Sequence, residues 1–385
     1  MVFIKNGTIY TMAGEVIENG SILIKEGKIV EVGKDIIAPL DAEIIDAEGR
    51  MVTPGFIDAH CHLGMWEEGI GFEGSDGNEM TDPVTPHMRA IDGINPMDIS
   101  FREAYEGGVT TAVTGPGSAN VIGGTFVAIK TYGNRIDNMI IKNPIAMKIA
   151  FGENPKRVYN GQNKTPMTRM ATAAILRDTL FKAKSYMEKK EKAEETSKMP
   201  DYDIKMEALI PVLKKEIPLK AHAHRADDIF TSLRIAKEFD VNITLDHCTE
   251  GHLIVDELVK EGKPAIVGPT FGNRSKFELQ NKSFDTPRVL TEAGVKVAIT
   301  TDSPVIPLQH LPLCAGLAHN AGLSEIDALK AITINPAEIV GLQDRIGSIE
   351  VGKDADIAIF DGNPIKDIDA KTYVTIINGE IVYKR

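Results

Sequence analysis

Cysteine is scarce in this 385-residue chain, and the three present, Cys61, Cys248 and Cys314, are far apart with no Cys-x-x-Cys pair. That spacing suggests neither a disulfide framework nor a thiolate zinc site. Positive charge is also in short supply: 43 Lys and Arg stand against 55 Asp and Glu, a formal charge of -12. A nucleic-acid partner usually demands a basic face, so none is expected. No run approaches the roughly 18 apolar residues of a membrane span. The stretch Met1-Val2-Phe3-Ile4-Lys5-Asn6-Gly7 lacks the apolar core of a secretory leader. The expectation is a cytoplasmic protein with no membrane partner, acting on a small molecule and open to forming a homo-oligomer.

What is present fits a folded enzyme. A hydrophobic fraction of 43% and a charged fraction of 25% are those of an ordinary globular protein. The length suits a barrel plus a smaller domain. From Met1 to about Asp46, short apolar strands are separated by the turn formers Asn6-Gly7, Asn19-Gly20 and Glu26-Gly27, as in antiparallel hairpins. The same texture returns near 355–361 and 374–383. Neither piece can bury a good core alone, so both ends are expected to form one small discontinuous β-sandwich domain, residues 1–53 and 348–385.

Between them, residues 54–347 alternate apolar strands with amphipathic helices, the pattern of a parallel α/β architecture. Strands are predicted at 55–59, 110–114, 126–131, 145–150, 219–222, 242–246, 265–268 and 295–300. Eight strands suit a (β/α)8 TIM-like barrel. Two long insertions interrupt it: a polar loop over 63–95 containing Gly64, Gly69, Gly71, Gly74 and Gly77, and a segment over 152–202 with a helix from about Arg169 to Glu195. The charge run at 189–195 is most simply a solvated helix face.

Functional groups in a barrel gather at the C-terminal ends of its strands. On the first strand, Pro54-Gly55-Phe56-Ile57-Asp58-Ala59-His60-Cys61-His62 ends in two histidines at i and i+2, which project to one side. Cys61, and likewise Cys248 beside His247, then point to the opposite face, into packing. Two imidazoles alone are also ordinary polar groups, because zinc normally needs four ligands. Other strand ends supply Lys148, His222, His247 and Asp302. Singly, each has a bland explanation: a hydrogen-bonded histidine, or, for Asp302 before Ser303-Pro304, a helix cap or turn. Together they describe a site.

The chain resembles the amidohydrolase superfamily of metal-dependent hydrolases, in the branch of imidazolonepropionase-like and prolidase-like members. The resemblance is carried by Gly-Phe-Ile-Asp-Ala-His-Cys-His at 55–62, Ala221-His222-Ala223-His224, Asp246-His247, Thr301-Asp302-Ser303 and the closing segment 346–356. It implies that His60 and His62 hold one divalent metal and that His222 and His247 hold a second. It further implies that Asp302 contacts metal and serves as the catalytic base, and that Lys148 is carboxylated to bridge the ions. Lys148 is also open to pairing with Glu153, and Glu153 to being a ligand itself.

Histidine and carboxylate ligands suit zinc among other divalent ions. The chemistry implied is hydrolysis of a C–N bond in an amide, lactam or dipeptide. Related deaminases carry a Glu three residues after the fifth-strand histidine, where this chain has Arg225; deamination of a heterocycle is therefore the alternative, and a scaffold that has lost its ligands is the non-enzymatic one. Expected substrate contacts are Arg225, as a carboxylate clamp, with His224, Arg274 and Asn120. The glycines of 115–124 are expected to form a tight loop rather than a phosphate cradle. Lys130 and Arg169 are expected to be surface or structural.

Overall fold

The computed structural model describes residues 1–68 and 71–385; Gly69, expected in the polar loop, lies outside them. Five strands come first: β1 (Val2–Ile9), β2 (Ile17–Lys25), β3 (Lys28–Gly33), β4 (Glu43–Asp46) and β5 (Met51–Pro54). Eight follow in the middle: β6 (Phe56–Cys61), β7 (Val109–Thr114), β8 (Ile122–Lys130), β9 (Ile140–Ala150), β10 (Leu219–Ala223), β11 (Ile243–His247), β12 (Ala265–Val267) and β13 (Val297–Ile299). Three close the chain: β14 (Ile357–Asp361), β15 (Lys371–Ile377) and β16 (Glu380–Lys384).

The two ends do form one sheet, in the order β16-β15-β14-β5-β1-β2-β3 with β4 also on β1. Alternate residues Ile22 and Ile24, Ile357 and Ile359, Val374 and Ile376 are buried, as a strand's period of two requires. These residues from distant strands share one core, so the sheet folds over on itself. Its far turns then meet: a Cβ on Gly27, whose φ is 76°, would sit 2.9 Å from the Asn378 carbonyl oxygen. The ladder joining the two chain segments is β5 with β14, pairing Val52 with Ile359 and Pro54 with Ile357.

The second sheet runs β13-β12-β11-β10-β9-β8-β7-β6 and curls into the barrel. All eight predicted strands are there, but the third runs against its neighbours: β8 is antiparallel to both β7 and β9. The reason is the connections. Residues 115–121 and 131–139 are shorter than the dozen or more residues that a parallel crossover needs. Between β13 and β6 no ladder hydrogen bond is made among the described residues. Asp58 closes that seam, its carboxylate accepting from Thr300 Oγ1 (2.7 Å), Thr301 N (2.9 Å) and Thr301 Oγ1 (2.7 Å).

The helix Arg169–Lys192 buries Thr172, Ala173, Leu176, Thr179, Leu180 and Ala183, a stripe at helical spacing against the barrel. Arg169 is structural, bonded to Asp228 at 3.1 Å. So is Lys130, which is buried at the end of β8 between Asp354 (3.2 Å) and Asp356 of the terminal sheet. Lys28 and Arg345 also reach Asp354 from the surface, so the barrel is fastened to the sheet by an ion network whose centre is buried.

Candidate metal centre

Alternation of faces places the groups on β6, β9 and β10, while His247 and Asp302 are turned in by left-handed backbone at the strand ends. His60 ends β6 on the inner face, and its neighbour Cys61 points away, its thiol 3.6 Å from the Val113 carbonyl. Lys148 on β9 and Lys220 on β10 are paired in register and both buried, within 5.6 Å of the Phe126 ring. His222 lies opposite Asp246, and Ala223 opposite His247. Non-glycine residues in left-handed conformation mark the site: His247 (φ 71°), Cys248 (φ 44°) and Asp302 (φ 54°). Such conformations cost roughly 1–3 kcal/mol each and persist where the surroundings enforce them. Asp302 heads a turn closed by Val305 N–H on its carbonyl.

These side chains form two groups whose donor atoms lie within 4.8 Å of one another: His60, His62 and Asp302, and His222, His224 and His247. Asp302 Oδ1 is 3.2 Å from His62 Nε2 and 3.4 Å from His60 Nε2. Two ligands on a tetrahedral ion at about 2.1 Å lie about 3.4 Å apart, so these spacings fit one metal.

The tautomers agree. His62 Nδ1 is 2.7 Å from the Gly115 carbonyl and His247 Nδ1 is 2.7 Å from the Gly268 carbonyl. A carbonyl only accepts, so each Nδ1 carries the proton and each Nε2 turns a lone pair inward. His60 Nδ1 faces Asp246 at 2.9 Å with the same result. His222 Nε2, His247 Nε2, Asp302 Oδ1 and Glu278 Oε1 are all buried without a hydrogen-bond partner among the described residues. Acceptors converging with few donors are costly unless a cation lies among them. The residues present therefore fit a divalent ion.

Charge is set by the walls. Burial opposes ionisation of Asp302, but His247, His60 and His62 outweigh it and hold the carboxyl well below its usual range. Asp246 is held low in the same way, burial being overcome by Lys220, at 3.1 Å, and His60. Burial brings Lys148 down to about 8, partly offset by Asp246 and Asp302. Its Nζ lies 3.2 Å from His60 Nε2 and within ion-pair distance of no carboxylate among the described residues. The pairing with Glu153 that the sequence left open is thus not made.

The expected substrate contacts fare differently. His224 stands in the histidine cluster, its ring stacked 4.5 Å from that of His247 and its Nδ1 2.7 Å from Thr249 Oγ1. Arg225 does not offer a free clamp: its guanidinium fork is filled by Asp227 at 3.0 and 2.9 Å, two residues on. Arg274 bonds the carbonyls of Gln280 and Lys282, bracing its own loop. Asn120 ties the Glu79 and Asp82 carbonyls and Thr85. In this structure all three side chains are engaged in these contacts. Glycines 115–124 pack tightly, as a Cβ on Gly115 would lie 2.3 Å from Phe126. Glu153 is not among the converging groups; its carboxylate accepts from Glu278 N at 3.0 Å.

Sequence reasoning missed Glu278 and gave Asp246 no role of its own. Asp246 had a signal, a carboxylate inside an apolar strand beside a histidine; Glu278, on a loop far along the chain, had none. Trp66 from the polar loop covers the site edge-on to His62 at 5.1 Å, and Lys276 reaches Glu278 at 3.7 Å. Surface clefts of about 740 and 620 Å³ lie elsewhere and contain none of these residues.

The buried histidines make the metal-free protein sensitive to acid. Burial first, with neighbouring charge, lowers His62, His222 and His247, and takes His224 down to about 4 from 6.5. Between those values the unfolded chain binds more protons than the native one, so stability falls as pH drops from 6.5 to about 4. His224 alone is expected to account for on the order of 3 kcal/mol. Urea denaturation of chelator-treated protein at pH 7.5 and pH 5, about the middle of that window, checks this; equal midpoints would refute it.

Among the described residues, no helix is long and apolar enough to cross a membrane. The amidohydrolase tasK of Hapsidospora irregularis is 32% identical over 352 residues, 85% of this chain, which spans only 36% of that protein's length. The imidazolonepropionase of Streptococcus pyogenes is 25% identical over 89% of this chain and 87% of its own. A crystal structure of an amidohydrolase from Thermotoga maritima MSB8 superposes with a TM-score of 0.97 at 45% identity, covering 100% of both chains. The model of the amidohydrolase family matches residues 51–382, and with this fold and this cluster of strand-end histidines the chain belongs to that family.

Proposed function

We propose that this protein hydrolyses a C–N bond in an amide, lactam or dipeptide, with zinc held by His60, His62, His222, His247 and Asp302. The observation that carries the proposal is the set of buried acceptors turned inward at the strand ends with an ionised carboxylate among them. When bound, a divalent ion lowers the pKa of water from near 16 to about 7 and polarises a carbonyl. Asp302 then takes the proton of the attacking water at a carboxylate oxygen and returns it to the leaving nitrogen. Asp246 and the Gly115 and Gly268 carbonyls keep the imidazoles turned inward. Trp66 limits water around the reacting centre.

Lys148, as a carbamate, would help to hold the metal in this reading. Its lowered pKa of about 8 leaves a usable fraction of neutral amine near neutral pH, which can add carbon dioxide to give a carbamate and release a proton. Residues 1–53 with 348–385, and 54–347, are the two units into which we divide the chain.

The test is metal removal. Protein treated with EDTA is expected to lose turnover of N-acyl amino acids, lactams and X-Pro dipeptides, and to regain it on addition of zinc chloride. Equal activity with and without metal would sink the hydrolase reading. Release of ammonia from a heterocycle, without cleavage of those substrates, would move it to deamination.

A further inference from the structure

We infer that Glu278 is the fourth ligand of a second metal position, completing His222, His224 and His247, and that Glu153 is the residue that aims it. This rests on the metal-dependent reading above and extends it to ligands outside the strand-end set.

Glu278 comes from the segment after β12, yet its side chain is only 1% exposed. Its two oxygens are treated unequally. Oε2 accepts from the Glu153 backbone N–H at 2.9 Å, and Glu153 returns the bond by accepting from Glu278 N–H at 3.0 Å. This two-way clamp joins residues 125 apart in the chain and fixes the orientation of the carboxylate. Gly152 makes room for it: its φ of 80° suits glycine, and a Cβ there would lie 2.5 Å from Oε2.

Oε1, by contrast, has no hydrogen-bond donor among the described residues. It points between His222 Nε2, at 3.8 Å, and His224 Nε2, at 3.7 Å. Two atoms bound to one ion at about 2.1 Å can be no farther apart than about 4.2 Å, so both spacings are those of shared ligation. The nitrogens of His222, His224 and His247 lie within 4.8 Å of one another, and Glu278 Oε1 is within 4.0 Å of the first two alone, so an ion on all four would draw the His247 ring and the carboxylate together. Lys276 Nζ, at 3.7 Å, is beyond hydrogen-bond reach and leaves Oε1 undonated. One oxygen anchored by an outer partner and the other bare toward a histidine cluster is the arrangement of a ligating carboxylate. Three histidines and a glutamate supply four zinc ligands, and the Lys148 carbamate of the reading above would make a fifth.

The experiment counts metal. Full-length protein and Glu278→Gln are loaded with zinc chloride, dialysed, assayed by plasma mass spectrometry and titrated with a competing chelator. The cobalt(II)-loaded forms are compared by visible absorption. Wild type is expected to hold two equivalents; Glu278→Gln is expected to keep one unchanged and to hold the other more than roughly 10-fold more weakly, with altered cobalt bands. Glu278→Asp, which keeps the charge but shortens the reach, is expected to show the same selective weakening and covers the case in which the glutamine variant misfolds. A wild type with one equivalent, or variants with wild-type chelator curves and cobalt spectra, overturns the inference while leaving a metal-dependent enzyme. A wild type that binds no metal overturns the reading beneath it as well.

Discussion

Replacing Asp302 with asparagine is expected to lower kcat by roughly 10³-fold while most of the bound metal is retained. The substitution is nearly isosteric, and asparagine tolerates the left-handed conformation that Asp302 adopts at φ 54°. The backbone bond from Asp302 N–H to Thr300 Oγ1, at 3.1 Å, does not involve the side chain and survives. What disappears is the carboxylate whose ionised form is held by His247, His60 and His62 against the effect of burial. An amide oxygen can still face a metal, but it cannot accept and return a proton near neutral pH. Turnover and metal content measured on one preparation separate the two roles. Near-normal kcat removes Asp302 from proton transfer; loss of metal together with activity makes it mainly a ligand.

The second large effect is expected at Asp246, which never faces the reacting atoms. Its carboxylate touches His60 Nδ1 at 2.9 Å on one side and the buried Lys220 at 3.1 Å on the other. Asp246→Asn is expected to weaken metal binding by roughly 10- to 100-fold, because His60 loses the partner that fixes its tautomer. It is also expected to destabilise the protein by about 3–5 kcal/mol, because Lys220 is left as an uncompensated buried charge. The sign with pH follows from the low pKa of Asp246. The stabilisation is present above the unfolded value of 3.8 and is lost as pH falls through the folded value, so the deficit of the variant is constant between pH 5 and 8, roughly, and shrinks in stronger acid. Adding Lys220→Met is expected to recover stability but not metal affinity. Recovery of both would show that Asp246 acts on the fold alone.

Much of this architecture was legible because strands write their faces into the sequence. His60, His62, His222, His247 and Asp302 were found by asking what stands where an apolar run ends, and that question works for any group carried on a strand. It gives no strand direction, since alternation reads the same both ways; the reversal of β8 lay in connection lengths. It is silent on Glu278, whose place depends on a clamp with a residue 125 positions away. Nor does it say what a polar side chain is already bonded to: Asp227, two residues on, fills the Arg225 guanidinium fork. Arg274 and Asn120 likewise bond loop carbonyls, contacts that no spacing in the sequence announces.

The placement of β5 between β1 and β14 has a consequence for how the protein is made. Strand β14 is synthesised roughly 300 residues after β5, which at 5–20 residues per second is on the order of 15–60 s. Through that interval β5 presents an open apolar edge, the kind that pairs with other chains. Lys130, on the barrel side, waits 224 and 226 residues for Asp354 and Asp356, on the order of 11–45 s. The terminal sheet is therefore the last part to close on the ribosome, and the stretch of synthesis between Pro54 and Ile357 is when the nascent chain most needs protection.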